Sequence, residues 1–308
     1  MLDTIKNSVQ TLLVPLDGSQ MAESVLPATL LLASRFRAHV ILLHIREQSP
    51  PATIHGERHL SGDIQEAHDY LAQVADRFRK MNIAVEIHVH EPLEGDVAQS
   101  IVSHANEYSP DMVILCTHGS GGLTGLVSGP IAQQVLHQGN WPILLMHPRE
   151  DNSTIPFDPR NILVPLDLEH EHGTALSGAS AIACAFNARI HLLVVVPTSD
   201  TLSGKRAATG TLLPTVTRAI LDIAEQEGRE HLARVADVVR CGEALVDSQV
   251  VRGEPVTRVL QIADEINADI IVLTSHGRSG LDAFFSGSIG PRIASRSNRT
   301  ILLVKDTQ

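Results

Sequence analysis

Short apolar runs alternate with longer stretches of helical spacing along the whole chain. Residues 11–16 are apolar and β-branched and predict a buried strand. Residues 20–37 predict a helix, with Ser19 as its N-cap and Glu23 near its positive end. A second strand is expected over 39–45. In 63–81, Ile64, Ala67, Leu71, Val74 and Phe78 recur on one helical face. A strand over 84–90, a helix from about 96 to 108 and a strand over 112–116 follow. A helix over 131–138 and a strand over 142–146 complete the series.

The series is then repeated. Leu13-Val14-Pro15-Leu16-Asp17 matches Leu163-Val164-Pro165-Leu166-Asp167 at an offset of 150. Further on, Gly95, Gly119 and Gly129 match Gly253, Gly277 and Gly287 at an offset of 158. The second copy therefore carries a net eight extra residues, expected in the Ser/Thr/Gly-rich segment 198–214. Its helices are expected near 173–186, 216–238, 256–266 and 289–296. Its strands are expected near 162–166, 190–196, 245–251, 270–273 and 300–304. Alternating strands and helices give a parallel sheet covered on both faces, so the fold class is α/β, as two tandem Rossmann-like domains with five strands each. The expected division is 1–149 for the first domain, 150–159 for a polar linker and 160–308 for the second.

The candidate chemistry lies after the fourth strand of each copy. There a Gly-rich loop leaves a strand end and closes on a helix N-terminus. Glycines let backbone approach a ligand closely, and the first amides of a helix have no partner inside it. Together they suit an anion, usually phosphate. In both copies nine residues separate the Gly after the His from the Gly that opens the next helix: Gly119 to Gly129 and Gly277 to Gly287. Ligands in such sheets sit beyond the strand C-termini, where Asp17 and Asp167 also fall.

These features resemble the universal stress protein family in its tandem two-domain form. The resemblance is carried by Leu13-Val14-Pro15-Leu16-Asp17-Gly18-Ser19, by Val40-Ile41-Leu42-Leu43-His44-Ile45 and by the two Gly-rich loops. It implies that Asp17 and Asp167 lie near the nucleoside and that Ile45 and Val195 meet adenine through their backbones. It implies phosphate contacts at Gly119, Gly129, Gly277, Gly287 and Ser288. ATP is the expected ligand, and the expected role is stress response by binding and signalling. A scaffold without nucleotide, or a slow ATPase, are the alternatives. The family also implies pairing of the two halves through their last strands, and a homodimer of tandem chains.

The chain departs from the family pattern Gly-x2-Gly-x9-Gly-(Ser/Thr) at several places. The first Gly is Cys116 in one copy and Thr274 in the other. The last position is Ser288 in the second copy but Pro130 in the first, and proline offers phosphate neither N–H nor hydroxyl. Gly18-Ser19 becomes Leu168-Glu169, which adds negative charge. Ser288 and Arg278 favour the second copy for phosphate.

Composition narrows the classes. A formal net charge of −11 argues against non-specific binding to nucleic acid or anionic membrane. No apolar run has the length of a membrane span, and the start lacks the blocks of a signal peptide, so a cytoplasmic location is expected. Cys116, Cys184 and Cys241 fit no disulfide framework and no zinc spacing, and read as buried small side chains. His88 and His90 share a strand face and would ligate zinc only with a third group. His170 and His172, with Glu169 and Glu171, form a second candidate. No Gly-x-Ser-x-Gly elbow joins a strand to a helix, and the loops lack a Walker lysine, so catalytic residues are not expected and ATP hydrolysis would be weak at most.

Overall fold

The computed structural model describes residues 9–46, 63–91, 96–116, 135, 138–147, 157–168, 173–201, 213–239, 245–275 and 289–305. The first copy supplies strands β1 (Thr11–Pro15), β2 (His39–Ile45), β3 (Val85–His90), β4 (Met112–Cys116) and β5 (Ile143–Met146). Its helices are α1 (Gln20–Glu23), α2 (Leu26–Phe36), α3 (Ile64–Arg79) and α4 (Val97–Tyr108). The second copy supplies β6 (Asn161–Leu166), β7 (Arg189–Val196), β8 (Val246–Arg252), β9 (Ile270–Ser275) and β10 (Thr300–Lys305). Its helices are α5 (Gly173–Phe186), α6 (Pro214–Val238), α7 (Pro255–Glu265) and α8 (Ile289–Ala294).

The ten strands of the described residues form one sheet, in the order β3-β2-β1-β4-β5-β10-β9-β6-β7-β8. Each half is parallel. The halves join where β5 and β10 pair antiparallel, with Leu144 opposite Leu302. This is the expected pairing of last strands, and it covers a strand whose four residues are all buried. β1 reads as continuous apolar chain because both its faces are covered: Leu12, Leu13 and Val14 have no exposure. One face carries α2, α3, α5 and α6, and the other α4, α7 and α8. Each core runs through both halves. Fully burying one such aliphatic side chain stabilises by roughly 1.5–3 kcal/mol.

Local devices recur in both copies. Asp111 accepts from Gln10 N (2.7 Å) and Thr11 N (2.9 Å), and Asp269 accepts from Arg160 N and Asn161 N at the same distances. Asp96 and Glu254 cap the equivalent helices α4 and α7. Left-handed residues end α2 and α4, Arg37 (φ 56°) and Ser109 (φ 46°), and stand again at Asn187 (φ 53°) and Asn267 (φ 50°).

Three expectations change. The single helix over 20–37 is broken at Ser24–Val25, because Pro27 begins a new helix and cannot continue the old one. The extra residues of the second copy are not loop. His90 lies opposite Ile45 and Val251 opposite Val195, so β8 is offset from β3 by 161. The buried pairs Leu71/Leu232 and Phe78/Val239 follow the same offset. The added length is therefore an N-terminal extension of α6, which has 25 residues against 16 in α3. Thirdly, the cysteines are not all buried: Cys184 is exposed on α5 and disulfide-bonded, and Cys116 is half-buried. Cys241 lies outside the described residues.

Candidate functional site

The order of the first half reverses direction at β1, with β2 on one side and β4 on the other. Chain leaving β1 and chain leaving β4 therefore part to opposite faces and open a crevice at their C-terminal ends. The second half repeats this at β6 and β9.

Asp17 stands at the first crevice. Its Oδ1 accepts from Ser19 N at 2.8 Å, and its side chain is exposed. Gly18 between them has φ 87°, a conformation that suits glycine, so Leu168 at the equivalent place follows Asp167 in another geometry. Ser19 is buried and accepts from Ala22 N at 3.0 Å, which is the expected cap. His44 Nδ1 donates to Leu16 O at 2.8 Å and fixes the carbonyl just before Asp17. Ile45 ends β2 beside this point, and His90 O accepts from Arg46 N at 2.9 Å.

Cys116 ends β4 on the other side of the crevice. Its Sγ lies 3.3 Å from Ser24 Oγ, so the side chain that replaces the family's first glycine is turned to the α1–α2 break. From α3, the Tyr70 hydroxyl lies in the field of Glu23 and Asp17. Burial first, then these two carboxylates, hold its pKa far above the ordinary phenol value. Arg77 pairs with Glu23 at 3.0 Å. This side of the crevice is acidic, which suits hydroxyl and amino groups of a nucleoside better than phosphate.

In the second copy Asp167 is half-buried after β6, Val195 is the last residue but one of β7, and Thr274 is half-buried near the end of β9. Gly119, Gly129 and Pro130 of the first loop lie outside the described residues, as do Gly277, Arg278, Gly287 and Ser288 of the second and Glu169 to His172.

The expected histidine pair is part of something larger. His88 and His90 present their rings on one side of the edge strand β3, with centroids 5.9 Å apart. His104 of α4 stacks on His90 at 3.8 Å. The Tyr108 hydroxyl lies between His88 Nδ1 (3.0 Å) and His90 Nε2 (3.3 Å). One nitrogen of each ring is thus turned to a phenol, and the other nitrogen of His88 to Glu86. Among the described residues no group of three His, Cys, Asp or Glu is arranged to hold a metal ion. Sequence reading missed His104 and Tyr108. Their i, i+4 spacing on one helix face was the available signal.

Comparison with known proteins agrees with the geometry. A family profile described as Universal stress protein family matches residues 8–147 and again 159–305. The universal stress protein MJ0531 of Methanocaldococcus jannaschii is 24% identical over 146 residues, 47% of this chain and 82% of that protein. The universal stress protein Rv2623 of Mycobacterium tuberculosis is 24% identical over 196 residues, 64% of this chain and 61% of that one. A solved structure called a putative universal stress protein from Pseudomonas aeruginosa UCBPP-PA14 superposes with a TM-score of 0.69 at 15% identity. It covers 97% of this chain and 94% of that chain, a likeness of fold.

Proposed function

We propose that this chain, which belongs to the universal stress protein family as two of its domains in tandem, binds an adenine nucleotide, ATP above all, and signals by binding. The observation that carries the reading is the doubled crevice. At each switch point an aspartate, Asp17 or Asp167, follows the first strand of its half, and Ile45 or Val195 lies at the end of the strand beside it. A carboxylate there suits ribose hydroxyls or the adenine amino group. Phosphate would fall to the Gly-rich loops, and Arg278 and Ser288 favour the second. A role in stress response and a homodimer of tandem chains belong to the same proposal.

The test is to denature freshly purified protein and identify any released nucleotide by mass spectrometry. About one ATP per chain is expected if one site is live. Asp17→Ala and Asp167→Ala then tell which half holds it, since losing a hydrogen bond from the ligand to a charged carboxylate costs roughly tenfold in affinity or more. No nucleotide, and no stabilisation by added ATP, would overturn the reading.

The contact between Cys116 and Ser24 favours a second reading for the first half. A side chain there narrows the crevice, and that half would then act as a scaffold through protein contacts. Cys116→Gly separates the two: nucleotide gained by the variant supports the narrowing, and no gain argues against it.

A further inference from the structure

The edge of the first half carries a cluster that the fold does not require. Its groups form one line across β2, β3 and α4. His39 Nε2 lies 3.5 Å from Glu86 Oε1, and His88 Nε2 lies 3.4 Å from Glu86 Oε2. Tyr108 then bridges His88 and His90, His104 stacks on His90, and Glu107 Oε2 lies 3.3 Å from His104 Nδ1. Arg46, at the end of β2, is paired with Glu91. α3 packs on the opposite side of β3, with Leu71, Val74 and Phe78.

The second half has the same backbone and a different chemistry. At the equivalent positions stand Arg189 for His39, Asp247 for Glu86, Gln249 for His88 and Val251 for His90. Ile262 and Ile266 stand for His104 and Tyr108. Ile262 is buried, Val251 and Ile266 pack on the same core, and Arg189 pairs with Asp247 at 2.8 Å. Helix and edge strand therefore pack with no imidazole at these positions. The imidazole near them is His191 of β7, 3.7 Å from Asp247 and held by Asn161 at 3.0 Å, and it touches no second ring among the described residues.

We propose that the imidazole cluster is a proton-operated latch, which holds α4 on β3 when neutral and releases it when the cluster takes up protons from solvent. Two contacts set the direction, and both meet at His90. The Tyr108 hydroxyl has one hydrogen, so it donates to one imidazole nitrogen and accepts from the other. If both nitrogens carry protons, the phenol hydrogen loses its acceptor. His90 and His104 are stacked face to face, where two imidazolium charges repel. Glu86 and Glu107 contact His39, His88 and His104, and no carboxylate of the described residues contacts His90. Burial first, then the charges of His104 and His88, lower the His90 pKa below the ordinary histidine value, and the more distant Glu107 only partly opposes this. The closed state thus binds fewer protons than the open one. Its stability is complete above the ordinary histidine pKa of about 6.5 and is lost as pH falls from there through the lowered value.

Hydrogen exchange on the full chain, without nucleotide, tests this independently of the nucleotide reading. Protection over 97–108 is compared with protection over 255–265 in the same sample, at pH 7.5 and 5.5, after correction for intrinsic rates. The expected result is that the first segment loses several-fold more protection than the second as the pH falls. Equal changes in the two segments overturn the proposal. The graft His88→Gln, His90→Val, His104→Ile and Tyr108→Ile, which copies the second half, should abolish the difference. A graft that still opens in acid also overturns it. Should the graft fail to fold, His104→Ile alone serves: it should at least halve the acid response, and an undiminished response counts against the latch.

Discussion

The two outer edges of the sheet are built from one backbone plan and reach opposite solutions. At β3 and α4 four rings meet one another and two carboxylates. At β8 and α7 the same places hold three aliphatic side chains, a glutamine and the ion pair of Arg189 with Asp247, which also lies 3.7 Å from His191. Packing alone needs only volume and burial there, and the second edge meets that need. The polar edge therefore reports a requirement other than folding, because half-buried histidines stacked on one another are costly wherever they can charge. Near the middle of the molecule the halves agree instead. The Asp111 and Asp269 devices, the caps of α4 and α7 and the paired strands β5 and β10 are the same in kind.

Cutting the chain after residue 148 should break this agreement most. β5 would lose β10 and present the unpaired backbone of four buried residues to solvent. The piece should dimerise or aggregate, and a stable monomer in light scattering would show that the halves need no joint.

Next in size is the exchange of one residue between the edges. Ile262→His places an imidazole in a site built for an aliphatic side chain only 2% exposed. It should cost about 2–4 kcal/mol in urea unfolding at pH 7.5. The reverse change, His104→Ile, should stay within about 1 kcal/mol of the parent, because the first edge already tolerates the backbone that Ile262 occupies. Similar costs for both would mean that the edges differ in shape and not only in chemistry.

The smallest effect belongs to the ion pair. Arg189 and Asp247 are both about half exposed, so Arg189→His should cost about 0–1 kcal/mol at pH 7.5. What it should change is the pH dependence of exchange over 246–252, since the pair would then exist only when the imidazole is charged. An unchanged profile would show that Asp247 does not discriminate a fixed charge from a titrating one.

The sequence by itself determined the duplicated α/β plan. Runs such as 12–16 and 162–166 are apolar on both faces, and only a parallel sheet covered on both sides uses such runs. The positions of Asp17, Asp167, Ile45 and Val195 at strand ends followed from that plan. The pairing of the last strands was implied by the family resemblance, and their unbroken apolar character agreed with it by calling for a partner. Length differences were visible as offsets, but their location was not: a helix extended at its start and a longer loop leave the same gap in the numbering. Register decided, because only the pairing of β7 with β8 fixes which residue stands opposite which. The break before α2 was marked by Pro27 and overlooked. The cluster at the first edge was half legible, as the spacing of His88 and His90. That His104 and Tyr108 complete it was decided by the tertiary structure. A helix face and a strand face are each periodic on their own, and which ring meets which depends on how the crossover lays α4 across β3.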